Sequence, residues 1–389
     1  MVQFGPFSPN ELKAISFDMK PLSGVYSRLG RRCYLSTAKD TNSAIKKFLQ
    51  IKGPDSKSFL QGLCTNDTSK LNGHGDFIYA AFLNTKGRII ADSIIHDVST
   101  LTSPSVLLEI PSSVFPELSK HLSMYKLRSK IQMTEIKDSK SLLPQSSISI
   151  VEDDSRESKY KYIRYRYLRG LAEGDEMSNR IPLEMNLDLL NYISFTKGCY
   201  IGQELIARTH FKGQIRKRVV PFKTHTRSKE MFSFNKYDLD TIKAIENEEA
   251  SITTSDAQLN MSIPVGSKVH VTRGTDPSEV EVSPVGEVIA YEPRLGLGLA
   301  LLRLEDLFSS SGSTASSSVH TFLVDRSIQD VQASSRTSEG MKGETSSDAL
   351  HSTSPVASVA SIDSPNWISM TPFRPHWWPD IDPLTGKTR

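Results

Sequence analysis

Lys197-Gly198-Cys199-Tyr200-Ile201-Gly202-Gln203-Glu204 is the stretch on which the reading of this chain turns. Two glycines bracket a cysteine, and glycine admits positive φ and close backbone approach, so a short turn can present the thiol at the mouth of a cleft. Lys197 lies just before the thiol and Arg208 falls one to two helical turns beyond Glu204. Positive neighbours lower a thiol's pKa and favour the nucleophilic, metal-binding thiolate. Chemistry alone leaves two readings open: Cys199 is a reactive or ligating thiol, or it is an inert cysteine in a structural strand-to-helix turn. As a ligand it could supply only part of an iron–sulfur site, because such clusters normally take four thiolate or imidazole ligands. Cys64 is remote in sequence, and no Cys-x-x-Cys spacing exists. His96, His121 and His210 lack the paired spacing of a zinc site, and the Gly-x-Ser-x-Gly, Walker and dinucleotide-binding signatures are all missing.

Outward from this stretch, the pattern predicts α+β architecture. Ala44 to Ile51 reads as a strand broken by Gly53-Pro54, after which Asp55 caps a helix with Phe59, Leu60 and Leu63 on one face. Thr65-Asn66-Asp67 and Asn72 to Gly75 are loop-formers. Phe77 to Leu83 and Arg88 to His96 are β-favouring runs joined by Asn84-Thr85-Lys86-Gly87, a hairpin. Ser105 to Ile110 adds a strand, Pro111 opens a helix to about Lys126, and Lys130 to Ile136 returns to strand. Val151 to Lys161 reads as a connection, Tyr162 to Leu168 as a half-solvated strand, and Leu187 to Ile193 as a short helix entering the octapeptide. Beyond Arg216, short runs at Val219 to Lys223, Lys268 to Thr272, Val285 to Tyr291, Leu297 to Arg303 and His320 to Val324 predict a small C-terminal barrel.

Composition bounds the function. The chain has 389 residues, with 47 Lys plus Arg against 44 acids and a net charge of +3, which is no electrostatic footprint for nucleic acid. No apolar run approaches the roughly eighteen residues of a membrane span. Three scattered cysteines suit a reducing compartment rather than a disulfide framework. Residues 1–40 are basic and Ser-containing without an apolar h-region, which fits an organelle presequence or a disordered cytosolic terminus. Arg31-Arg32-Cys33-Tyr34-Leu35-Ser36 looks like a mitochondrial processing site, cleaved after Tyr34. Residues 224–261 read as a surface insertion, and residues 326–389 as a Ser-rich disordered tail ending in Phe373-Arg374-Pro375-His376-Trp377-Trp378-Pro379. That aromatic end can dock on the protein itself, meet a partner or hang free.

The octapeptide is similar to the Lys-Gly-Cys-Tyr-x-Gly-Gln-Glu motif of the YgfZ branch of the aminomethyltransferase (T-protein) family. Further agreement comes from Phe59-Leu60-Gln61-Gly62 with Thr65-Asn66-Asp67, Leu83 with Lys86-Gly87-Arg88, and Leu127-Arg128. Pro182 with Asn186-Leu187-Asp188, Arg208, and Gly298-Leu299-Ala300 extend it across about Lys46 to Arg303. The chain looks most like the fungal mitochondrial iron–sulfur cluster assembly branch. The resemblance implies mixed sheets around a central, folate-binding channel over residues 41–215 and a C-terminal β-barrel over 216–325. It further implies a mitochondrial matrix factor maturing [4Fe-4S] proteins such as aconitase, homoaconitase and lipoate or biotin synthase, together with A-type scaffold proteins. On this expectation Cys199 is one ligand of a transient cluster shared with a partner, with Lys197 beside it and Gly198, Tyr200, Gly202, Gln203 and Glu204 shaping the turn. Tetrahydrofolate would meet Asn66, Lys86, Arg88, Asp92 and Arg208. The alternative is a tetrahydrofolate-dependent one-carbon transferase. True T-proteins lack the Cys-bearing octapeptide and carry a catalytic acid after the hairpin, for which Asp92 is the candidate here.

Overall fold

The computed structural model describes residues 33–35, 46–137, 142, 148–150, 156–225, 262–273, 281–308, 321–325, 367–375 and 377–388. Most of the expected presequence, all but one end of the expected insertion and most of the expected tail lie outside these residues. The chain divides into two compact units. One holds Met1–Leu83, Ala91–Asp154 and Leu187–Ile201, and the other holds Asn84–Ile90, Ser155–Asn186 and Gly202–Arg389. The expected single region 41–215 is therefore shared between both, and the chain passes from one to the other inside the octapeptide.

The first unit is built on a five-stranded sheet in the order β3-β4-β5-β2-β6. Its strands are β2 (Lys46–Lys52), β3 (Phe77–Leu83), β4 (Ile89–Asp97, entered from the second unit), β5 (Ser105–Pro111) and β6 (Gln132–Ile136). The β4/β5, β2/β5 and β2/β6 ladders are antiparallel. Position in the sheet follows composition. The apolar run of β5 is buried at every residue and lies centrally, whereas the polar β6 is mostly exposed at an edge. β1 (Cys33–Leu35) pairs in parallel with β7 (Ile148–Ile150). α1 (Ser56–Gln61) buries Phe59 and Leu60, but Asp55 makes no side-chain cap; its carboxylate accepts the Lys130 N–H at 2.7 Å instead. α2 (Phe115–Tyr125) carries Pro116, not the expected Pro111, in its tolerated first turn, because Pro111 is the last residue of β5; the helix buries Phe115, Leu118 and Leu122, which recur on one helical face.

The second unit is built on a closed barrel in the order β10-β11-β8-β13-β12-β9. Its strands are β8 (Lys217–His225), β9 (Lys268–Arg273), β10 (Glu281–Glu292), β11 (Leu297–Arg303), β12 (Thr321–Asp325) and β13 (Trp367–Pro372), with α3 (Arg156–Leu168), α4 (Gln203–Lys212) and α5 (Leu304–Phe308). Every neighbouring pair is antiparallel.

Three sequence expectations are corrected here. Tyr162 to Leu168 is helical, not a strand, because it belongs to α3. Arg166 makes two hydrogen bonds to Glu176, at 2.7 and 3.0 Å, Tyr167 donates to the same carboxylate, and Tyr162 donates to Glu173. These partners lie on the short turn after the helix, so the alternation of Tyr and Arg was a charge pattern rather than a β period. Leu187 to Ile193 forms hydrogen-bonded turns, with Asn186 and Asn191 at positive φ, instead of a helix. The end of the expected tail is ordered. Trp367–Pro372 inserts between β8 and β12, and its alternating Ile368 and Met370 face inward. Without this sixth strand both neighbours would keep open edges. Trp377 and Trp378 are buried, and the Trp377 ring N–H donates to the Arg169 carbonyl at 2.7 Å.

Candidate functional site

The octapeptide begins in the first unit, and there its lysine points inward. Lys197 is 9% exposed, and its Nζ donates to the carbonyls of Gln61 at 2.7 Å, Cys64 at 2.8 Å and Asn66 at 2.7 Å. An ammonium has three hydrogens, and all three are used. Its Nζ also lies 5.0 Å from the centre of the buried Tyr200 ring, within cation–π range. Burial pushes the Lys197 pKa down, and burial pushes the Cys64 thiol and the Tyr200 hydroxyl up.

The loop that receives Lys197 is clasped from several sides. Ile201 N–H donates to the Gly62 carbonyl at 3.1 Å, and Ser194 N–H to that of Thr65 at 3.0 Å. The Thr65 hydroxyl donates to Tyr192 and accepts from the Ala81 N–H, and the Cys64 thiol donates to the Asn66 carbonyl at 3.2 Å. Asp67 caps the short turn Thr68–Lys70; the hydrogen bond from the Ser69 N–H, helped by Gln61, holds its carboxyl below the usual range. Out of this rigid base projects Cys199, an exposed free thiol. Lys197 locks the turn, and its three hydrogens go to main-chain carbonyls rather than to the Cys199 sulfur.

Asn66 does not fit the expected ligand role. Its amide donates to the Tyr79 and Asn191 carbonyls at 2.7 and 2.8 Å, and its oxygen accepts from the Asp67 N–H and the Lys70 ammonium. Both donors and both lone pairs are spent inside the fold. Asp92 is buried on β4. Among the described residues, no group of three or more His, Cys, Asp or Glu side chains could hold a metal ion.

The octapeptide ends in the second unit. Gly202 adopts φ 79°, a left-handed turn that opens α4. Gly87, at φ 76°, lies so close that a Cβ there would sit 2.7 Å from the Leu205 Cβ and 3.0 Å from the Gly202 carbonyl oxygen. The Lys86-Gly87-Arg88 turn and the start of α4 are thereby brought together. Lys86 is exposed, and Arg88 is half-buried near Glu184, whose carboxyl burial pushes up against the pull of Lys217, Arg88 and Arg180. Glu204 was expected to fix the turn, but it is 90% exposed and meets Arg208 at 3.3 Å, a solvated pair of small energetic weight. Gln203 is the first residue of α4. The contribution that sequence reasoning missed is that of Gln61 and Cys64. It acts through main-chain carbonyls, which every residue has and no side-chain pattern advertises.

No protein-family model matches the chain. Among curated proteins it is 34% identical over 237 residues to the mitochondrial iron–sulfur cluster assembly factor IBA57 of Mus musculus, covering 46% of this chain and 64% of that protein. It is 33% identical over 226 residues to the Homo sapiens protein of that name, covering 45% and 64%. A Mycosarcoma maydis homologue of that factor is 28% identical over 386 residues, covering 86% and 84%. The match thus spans just under two thirds of the mouse and human relatives. Among solved structures, the glycine cleavage system aminomethyltransferase T of Bartonella henselae aligns with a TM-score of 0.47 at 11% identity, over 86% of this chain and 84% of that one.

Proposed function

We propose that this chain, a homologue of the IBA57 iron–sulfur cluster assembly factors, serves cluster assembly in the mitochondrial matrix by lending one thiolate to a cluster carried by a partner. The observation behind this reading is the contrast within one turn: Lys197 is buried and fully hydrogen-bonded, while Cys199 is exposed. A ligand offered to another protein must be reachable, and its backbone must be held so that little entropy is lost on docking. The cluster is cargo here. Four ligands are usual, so a partner supplies the rest, and an A-type scaffold protein is the proposed one, with [4Fe-4S] enzymes such as aconitase as clients.

The test is anaerobic reconstitution of the full chain with an A-type scaffold protein, iron and sulfide, followed by absorption spectroscopy of the isolated complex. Wild-type protein is expected to retain a shared cluster and Cys199→Ser to lose it. Equal cluster content in both would sink the proposal.

Tetrahydrofolate fits less well. Asn66 is spent within the fold, whereas the exposed Arg208 would give up only a weak, solvated pair with Glu204. Lys86 and Arg88, on one turn, are the side chains suited to a ligand carboxylate. The transferase reading rests on folate binding. Calorimetry with tetrahydrofolate on wild-type and Lys86→Ala protein is the corresponding measurement, and absence of heat would remove both.

A further inference from the structure

At one end of the five-stranded sheet, apolar side chains stand in solvent among cations with no side-chain partner among the described residues. Leu127 is 84% exposed and Met124 61% exposed, both at the C-terminal end of α2, and Leu101, at the tip of the β4–β5 turn, is fully exposed. The two segments share an end of the sheet. Lys52, the last residue of β2, pairs with Ser105 on one side and Gln132 on the other. The next residue, Gly53, donates its N–H to the Pro104 carbonyl at 2.9 Å and lies against Lys130.

Lys120, Arg128 and Lys130 are exposed, and Lys126 is partly so. None of the four makes a side-chain ion pair or hydrogen bond with the described residues, in contrast to Lys47 and Lys57 of the same unit, which meet Glu135 and Asp97. Leu127 also holds a φ of 43°, the left-handed region that favours Gly or Asn. A leucine there gains nothing from burial and is strained, so the turn alone does not account for it.

We propose that this end of the sheet is a peripheral contact for an anionic lipid surface. Cations without partners are attracted to negative headgroups, and isolated apolar side chains at turn tips can enter the headgroup boundary. A lipid surface also deforms around protruding side chains, whereas a protein partner needs a matching pocket for each. Lys120, Lys126, Arg128 and Lys130 outnumber Asp55, whose carboxylate accepts the Lys130 N–H, so the charge is complementary to acidic headgroups.

The experiment is co-sedimentation of the full chain with phosphatidylcholine vesicles, with and without phosphatidylglycerol, at low and raised salt. Binding is expected only with phosphatidylglycerol and is expected to weaken with salt. Charge reversal by Lys126→Glu with Arg128→Glu lowers partitioning at least about tenfold. Leu127→Asn lowers it about threefold while raising the thermal midpoint, because Asn tolerates the left-handed conformation. These opposite movements separate lost contact from lost folding. Absence of binding, or equal binding to neutral vesicles, overturns the proposal. Retention on an immobilised acidic peptide without vesicle binding also overturns it and assigns the surface to an acidic protein. Cluster content in the reconstitution above is read separately and is not altered by these outcomes.

Discussion

Lys197 and Asn66 are joined through a 2.7 Å hydrogen bond from the buried ammonium to the main-chain carbonyl, beneath the turn that exposes Cys199. The relation makes Lys197 a structural pin, and the behaviour of its variants follows from that.

Lys197→Met removes the ammonium donor from the carbonyls of Gln61, Cys64 and Asn66, of which Asn66 keeps only the hydrogen bond from the Cys64 thiol. Each buried orphan is costly, so a loss of about 3 kcal/mol in stability is expected, read as a lower urea midpoint at unchanged slope. Lys197→Arg is not expected to rescue it, since a planar guanidinium cannot point three hydrogens at three converging oxygens. Wild-type stability in Lys197→Arg would contradict the assignment.

Thiol labelling should distinguish Cys64 from Cys199. Iodoacetamide is expected to modify Cys199 in the native protein and Cys64 only after denaturation, because Cys64 is fully buried and burial raises its pKa. Peptide-level mass spectrometry makes the comparison. Comparable native labelling of both peptides would mean that the loop 61–66 opens readily.

The pair Lys57–Asp97 sets an acid limit on the first unit. Burial alone would raise the Asp97 carboxyl, but hydrogen bonds from Lys57 at 2.6 Å and from Ser99 outweigh it and hold it below 3.8. A carboxyl depressed in the folded state stabilises above its unfolded pKa. The contribution is therefore full above pH 3.8 and lost as pH falls through the lower folded value. Asp97→Asn is expected to lower stability at neutral pH and to flatten the decline below that point. Denaturation midpoints across the acid range are the readout, and a parallel decline in the variant would reject the linkage.

The C-terminal segment should be integral to the second unit. Trp377→Ala removes a buried indole and its bond to the Arg169 carbonyl, for an expected cost of about 3–5 kcal/mol. Arg218→Met should cost a comparable amount. Its guanidinium is fully buried and donates to the carbonyls of Leu183 and Gly386 and to the Asn186 amide oxygen. Thermal unfolding of both variants measures this, and a near-neutral Trp377→Ala would show that the segment is a loose appendage.

How much was legible beforehand depended on range. The apolar runs of β3, β5 and β11 and the hairpin at Asn84 to Gly87 announce themselves, since strand burial and turn chemistry are local. The helix α3 did not, because Arg166 and Tyr167 take their partner from Glu176, beyond its end. β13 was hidden by the 41 residues, 326–366, that separate it from β12 in the chain.

By itself, the sequence determined that a cysteine sits between two glycines in an α+β chain with a β-rich C-terminal part, and which family that octapeptide resembles. These follow from residue types and periodicities acting over a few positions. Only the tertiary structure decided that Lys197 is buried while Cys199 is exposed, that Asn66 is consumed within the fold, and that the aromatic end closes a barrel. Each of these depends on hydrogen bonds between groups far apart in the chain, 133 residues in the case of Lys197 and Cys64. The acceptors in that case are backbone carbonyls, which are chemically alike at every position and become distinct only when folding takes them out of water.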